Sequence, residues 1–271
     1  MRLGLLLAWI SAFAISARGA DVCEPKDLQG AYGFQLTGQT TISGTPQPSV
    51  TLGSLVFDGE GGVSGTSSVK FAGLLLGNPV TGMYEAHKDC SVSWSLQDDS
   101  GAYQHFSGIA APDTRRVKFS QTDPGGPQGG LLVRVAAQEC KVSDLLPKYA
   151  FTLSGTIIPM TDGGSPNTVA AKGVMEENSH GHFQLTLEGT PPHTTDVSIA
   201  IESDCTVEMG FTLPAQGDAA APPVNLRGIL VDDYKQILAI QTDPGAVASA
   251  RFTTQAPTTT PHMAPAPLPA P

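Results

Sequence analysis

The chain has 271 residues with 15 basic against 25 acidic, a net charge of −10, and only 15% of its residues are charged. That balance argues against nucleic acid as a partner and against adhesion to anionic lipid, because phosphates are held by clustered cations and the single basic dipeptide is Arg115-Arg116. With 30 Gly and 22 Pro, and too little charge for long exposed helices, the composition favours short strands joined by turns.

At the N-terminus, Met1-Arg2 is followed by an apolar run from Leu3 to Ile15 and by small residues at Ala17, Gly19 and Ala20. This order reads as a secretory signal peptide over residues 1–19, cleaved after Gly19. The run is short for a bilayer span, and no later stretch is long or apolar enough for one. The expectation is a secreted protein, extracellular or periplasmic, and not an integral membrane protein. Removal of Arg2 and Arg18 leaves 13 basic residues against 25 acidic. In an oxidising compartment the four cysteines, Cys23, Cys90, Cys140 and Cys205, read as disulfides, since none has the close spacing of a metal knuckle.

Past Cys23 the apolar period is two. Val92, Trp94 and Leu96 alternate with Ser91, Ser93 and Ser95, as in an antiparallel strand with one face on a core and one toward water. Eight such strands are expected in the first half, near residues 31–38, 50–57, 63–71, 79–86, 91–97, 103–110, 116–121 and 130–135. Asp58-Gly59 and Gly61-Gly62 mark a hairpin between the second and third.

From Cys140 the series repeats. Cys23 followed by Tyr32-x-Phe34-x-Leu36-x-Gly38 recurs as Cys140 followed by Tyr149-x-Phe151-x-Leu153-x-Gly155, and Asp89-Cys90 recurs as Asp204-Cys205. Residues 108–125 align without gaps on 228–245, with eight of 18 positions identical and Gln-Thr-Asp-Pro-Gly closing both. The chain is therefore read as a tandem duplication. Residues 20–136 are expected to form the first unit and 137–253 the second. The Thr/Ala/Pro-rich tail at 254–271 cannot bury a core and should be disordered. Only four residues separate Val135 from Cys140, so the units should lie against each other.

Eight sequentially paired strands in each unit of about 115 residues suggest an all-β fold of two small antiparallel up-and-down barrels. A two-sheet β-sandwich is the alternative. Four cysteines allow three pairings, and the repeat alone excludes none of them. A unit able to fold before duplication would hold its own bridge, which selects Cys23–Cys90 and Cys140–Cys205, each worth on the order of 4 kcal/mol in the loop-entropy picture. A bridge between units, Cys23–Cys140, is the alternative.

Several of these residues together resemble a known group. They are Tyr32-Gly33-Phe34 with Gly38, Phe57-Asp58-Gly59-Glu60-Gly61 with Ser64-Gly65, Gly82-x-Tyr84, Cys90, and Gln121-Thr122-Asp123-Pro124-Gly125. The pattern is similar to exported bacterial and fungal domains that look like the barrel of allene oxide cyclase, within the calycin class. The resemblance implies a barrel and permits a ligand. The second unit departs from it, with Glu177-Asn178-Ser179-His180-Gly181 at the hairpin and Ile199 in place of Tyr84. No positions correspond to the cyclase's catalytic residues.

Signatures of hydrolases, phosphate-binding loops and zincins are absent, and nothing in the sequence calls for a cofactor. Asp123 and Asp243 could be cast as paired carboxylates, but Asp-Pro-Gly is turn chemistry. His180 and His182, with Glu176 and Glu177 nearby, are weak metal candidates, better read as an exposed polar turn. Tyr32, Phe34, Tyr84, Tyr149 and Phe151 are possible ligand-lining residues, with plain core as the competing role. Arg115-Arg116 reads as a solvated turn. The expected function is non-catalytic: binding a small apolar ligand, or a partner at the groove between the units. The alternatives are a cyclase or isomerase acting inside the barrel, and a structural surface or matrix protein.

Overall fold

The computed structural model describes residues 23–71, 74–125, 127–135, 139–159, 165–214 and 222–254. The expected signal peptide lies outside them, as does the expected tail beyond Thr254. Eight strands form the first unit: β1 (Gln29–Ile42), β2 (Thr45–Asp58), β3 (Gly62–Phe71), β4 (Leu74–Ala86), β5 (Ser91–Asp98), β6 (Tyr103–Ala110), β7 (Arg116–Gln121) and β8 (Gln128–Arg134). Each pairs antiparallel with its sequence neighbours, and β8 returns to β1 to close a barrel.

The second unit runs β9 (Lys148–Ile157), β10 (Asn167–Glu177), β11 (Phe183–Leu187), β12 (His193–Asp196), β13 (Ser198–Ile201), β14 (Thr206–Thr212), β15 (Pro223–Val231), β16 (Gln236–Gln241) and β17 (Ala246–Thr253). Their order is β12-β11-β10-β9-β17-β16-β15-β14-β13. The two end strands are halves of one strand interrupted at Val197, whose N–H donates to Phe183 O at 2.9 Å. The first half pairs with β11 and the second with β14, as β4 pairs with both β3 and β5. The molecule is thus two barrel-like sheets, and the sandwich alternative is set aside.

The first hairpin departs from expectation. Strands β1 and β2 extend past Gly38 to a turn at Ser43-Gly44, pairing residue by residue through Ile42 and Thr45. The added length is Thr-, Gln- and Pro-rich, so no apolar alternation marks it in the sequence. Strand β4 likewise begins at Leu74 rather than near residue 79, because its first half is solvent-exposed on both faces.

Period-two alternation fills both interiors. In the first barrel Tyr32, Phe57 and Tyr84 form an edge-to-face series, and Trp94 stacks on Phe106 while meeting Phe119 edge-on. Gly53 is needed here, because a Cβ at that position would overlap the Phe34 ring. In the second barrel Phe151 sits between Phe211 and Phe252, with Met175 and Met209 buried nearby. Cys23 is bonded to Cys90 and Cys140 to Cys205, so each unit holds its own bridge. Cys90 and Cys205 adopt φ of 63° and 70°, ending turns in which their N–H groups donate back to His87 O and Glu202 O.

The barrels pack side by side through a built seam. Val50, Leu52 and Val133 on the outside of the first barrel meet Ile229, Val231, Leu238, Ile240 and Val247 on the outside of the second. Gly33 allows this approach, since a Cβ there would lie 2.8 Å from Val231 Cγ1. Gln35 is fully buried in the seam and uses its whole amide. Its Nε2 donates to Ala239 O (2.8 Å) and Ala250 O (3.2 Å), and its Oε1 accepts from Arg251 Nε (2.7 Å). The Lys70 ammonium, buried at the other side, donates to Thr242 O at 2.7 Å and to Asp243 O. Burial lowers its pKa, with the Asp243 charge opposing that shift.

Arg115 and Arg116 correct the sequence reading. Instead of a solvated turn they make ion pairs across the seam, Arg115 with Asp233 and Arg116 with Asp232, both at 2.5 Å. Duplication places the two β-turns at equivalent barrel positions, and the seam brings them together. Asp232, Asp233 and Tyr234 all hold positive φ in that turn. An Asp232 N–H bond to Arg134 O and a bridge between Val135 and Val231 complete the junction.

Candidate functional site

The recurring polar residues hold turns. Asp123 accepts from the His105 backbone N–H (2.6 Å) and from Gln121 Nε2 (3.1 Å), and its Oδ1 lies 2.7 Å from His105 Nδ1. Asp243 repeats the arrangement with Asn225 N–H (2.8 Å), Asn225 Nδ2 (2.6 Å) and Gln241 Nε2 (2.9 Å). Gln-Thr-Asp-Pro-Gly is therefore a clasp that ties the end of β7 to β6, and of β16 to β15. The two carboxylates serve different barrels. Asp58 caps the N–H groups of Glu60 and Gly62, and Asn178 does the same for His180 and His182. These two histidines stand on an exposed turn, not on one strand face. Among the described residues no group of three or more His, Cys, Asp or Glu could hold a metal ion.

The clasp makes a pH prediction. Burial would raise the Asp123 pKa, but the donors from the His105 backbone, the His105 ring and Gln121 outweigh it and hold the carboxyl below its ordinary value. A depressed folded-state pKa contributes stability above the unfolded value of about 3.9, lost as pH falls through the folded value. Asp123→Ala should therefore cost about 1–3 kcal/mol at neutral pH and progressively less in acid. Urea denaturation at both pH values checks this, and a cost independent of pH would contradict it.

The aromatic candidates lie in the barrel interiors. Tyr32, Phe34, Tyr84, Tyr149 and Phe151 are all buried. The Tyr32 hydroxyl donates to Thr114 O, that of Tyr84 to Leu28 O, and that of Tyr149 to Tyr234 O. Burial pushes the Tyr149 phenol up to about 12. Trp94 Nε1 and Ser67 Oγ are buried polar atoms of the first barrel that make no hydrogen bond among the described residues.

Among the described residues a cavity of about 30 Å³ lies inside the first barrel beside Ser67, Val80 and Leu96, and three larger clefts open on outer faces. One of about 410 Å³ lies on β4–β6 of the first barrel, beside Met83, Ser93, Ser95, His105 and Ser107. A cleft of about 500 Å³ occupies the equivalent place on the second barrel, beside Ser198, Glu208, Gly210, Asn225 and Arg227, with Leu75 of the first barrel reaching its wall. The largest of these, about 720 Å³, lies on the outer face of β5–β8 at the edge of the seam, where Arg251 of the second barrel forms its wall, and shares Ser107 with the first. Its floor is built by strand register. Ser107, Ser120 and Gly129 stand side by side on β6, β7 and β8, and Ile109, Lys118 and Leu131 form the row next to them. The second row continues to Gln35 on β1, which fixes Arg251 of β17 at the cleft wall.

Of the residues that line these clefts, the sequence put forward only Tyr84, beside the cleft on β4–β6, as a possible ligand-lining residue, and none of those at the seam. Outward serines and a lysine on alternating strands look like a solvated face, and Arg251 becomes half-buried only because a second barrel adjoins. One signal was present. The alternation Val117-Lys118-Phe119-Ser120 becomes Ile237-Leu238-Ala239-Ile240 in the second unit, apolar on both faces. Strand β16 is buried along its whole length, which locates the seam.

No family model and no curated protein matches the chain. Among solved structures it is similar to transferrin binding protein B from Neisseria meningitidis serogroup B (7% identity, TM-score 0.34, covering 84% of this chain and 75% of that one). It is similar to transferrin binding protein B from Haemophilus parasuis as well (9% identity, TM-score 0.33, 84% and 77% covered). A protein of unknown function from Nostoc punctiforme gives 10% identity and a TM-score of 0.24, with 85% and 98% covered. The transferrin binding in two of these names is a property of those proteins. Among the described residues of the present chain, no helix is long and apolar enough to cross a membrane.

Proposed function

We propose that this is an exported, non-catalytic binding protein that engages its ligand or partner outside the barrels, in the seam cleft. The observation that carries the reading is Arg251, a half-buried cation at the wall of the largest cleft that makes no ion pair among the described residues. Burying a charge without a carboxylate is costly, and a cleft that keeps such a group is suited to a ligand that completes it. Export is supported by the leader-like N-terminus and by two disulfides, which persist in oxidising compartments. The likeness to the allene oxide cyclase barrel rests on strand and turn residues, and in this reading it extends to the scaffold alone.

A second reading, a small and mostly apolar ligand carrying one hydrogen-bond acceptor inside the first barrel, is favoured by the unbonded Trp94 Nε1. Native mass spectrometry separates the two. Protein recovered from its natural host should carry a component, released on denaturation, that Ser120→Trp lacks because the indole fills the cleft floor. Retention of the component by Ser120→Trp, with loss in Trp94→Phe, would overturn the seam reading.

A further inference from the structure

We propose that the seam cleft is a site for an acidic saccharide, a hydroxyl-rich chain whose carboxylate or sulfate is held between Arg251 and Lys118. The inference rests on the binding function proposed above and specifies the ligand class of the same site. Arg251 lines the cleft with its Nε engaged by Gln35, which fixes the plane of the guanidinium and leaves its terminal nitrogens for another acceptor. Lys118 stands exposed on the floor, and no ion pair is recorded for it among the described residues. Lys26, Arg115, Arg116 and Lys148 pair with acids of the chain, whereas the cleft brings Arg251 and Lys118 onto one surface with no Asp or Glu in its lining. Two cations on one cleft, neither matched by an acid, point to an anionic group on the ligand.

The rest of the floor specifies what that anion is attached to. Ser107 and Ser120 oppose each other on neighbouring strands and are exposed, and no hydrogen bond is recorded for either hydroxyl among the described residues. Gly129 extends their row without a side chain, so a ring can lie close to the sheet there. Ile109, 59% exposed, and Leu131 offer apolar surface in the next row. Hydroxyl donors and acceptors alternating with small apolar patches suit sugar rings, which carry polar edges and C–H faces. Crossing β5 to β8 spans about 14 Å at the spacing of neighbouring strands, room for about three rings. A fatty acid shares the carboxylate but needs a deep apolar pocket, whereas this cleft is open and floored by hydroxyls. A polyphosphate lacks the C–H faces that Ile109 and Leu131 would meet.

The test is calorimetric titration of the full protein at low ionic strength with tetragalacturonate, with maltotetraose as the neutral control and dodecanoate as the apolar acid. Tetragalacturonate is expected to bind at one site per chain, and added salt should weaken it. Lys118→Gln and Arg251→Gln should each raise Kd roughly 10- to 100-fold, the size expected for losing a charge-assisted hydrogen bond. Arg251→Lys should retain part of the affinity. Lys118 is on the surface, so its variant carries the test if Arg251→Gln fails to fold. Absence of tetragalacturonate binding, equal binding of maltotetraose, undiminished binding in Lys118→Gln, or binding of dodecanoate alone would each overturn the ligand class. A host component lost in Ser120→Trp, together with no saccharide binding, would overturn this inference and leave the seam reading in place.

Discussion

Leu238→Lys is expected to lower stability by about 3–5 kcal/mol, the range for an uncompensated buried charge, and to divide unfolding into two steps. The substitution places in the second barrel the residue the first carries at the matching position, Lys118. A barrel of this kind therefore accepts an outward lysine there. The second barrel does not present that position to water. Leu238 is fully buried against the first barrel, in a cluster with Val50, Leu52 and Val133. The cost thus falls on the seam while each core, with its own disulfide, stays intact. Equilibrium urea denaturation followed by Trp94 fluorescence and by circular dichroism reads both effects. Coincident transitions at the native midpoint would show that the seam contributes nothing to stability.

Replacing both Cys140 and Cys205 by alanine should cost about 2–5 kcal/mol. The bridge spans 65 positions, and both cysteines are buried. Opening it frees the unfolded chain and leaves an alanine at position 205 in a left-handed conformation that its turn must hold unaided. Because the Cys23–Cys90 bridge lies wholly in the other unit, the paired replacement there should add independently within a few tenths of a kcal/mol. A quadruple variant as stable as either double one would contradict the independence of the two units.

Much of this architecture was legible in the residues. Alternation such as Val92-Ser93-Trp94-Ser95-Leu96 identified the strands, and the spacing of Cys, Tyr-x-Phe-x-Leu and Gln-Thr-Asp-Pro-Gly exposed the duplication. The long β1–β2 hairpin was hidden because residues 39–49 lack apolar alternation while still pairing through backbone. The site was hidden for a different reason. Ser107 faces outward on β6, Lys118 and Ser120 do so on its neighbour β7, and Arg251 comes from the other barrel. Nothing local marks any of them, since the cleft exists only once β16 has been buried against β1 and β2. The departure of Leu238 and Ile240 from their polar counterparts was the trace the seam left in the sequence.

Binding outside the barrels, at the seam, is distinguishable from binding within one. Two nitrogen-bound protons report on the two places directly, Arg251 Nε–H at the cleft wall and Trp94 Nε1–H inside the first barrel. Nitrogen-15 NMR spectra should be recorded as the ligand recovered with the protein is added. With the ligand at the seam, the Arg251 signal should move with saturation while the Trp94 indole signal stays in place. A saturating shift of the Trp94 signal with Arg251 unmoved would contradict it and place the ligand inside the barrel.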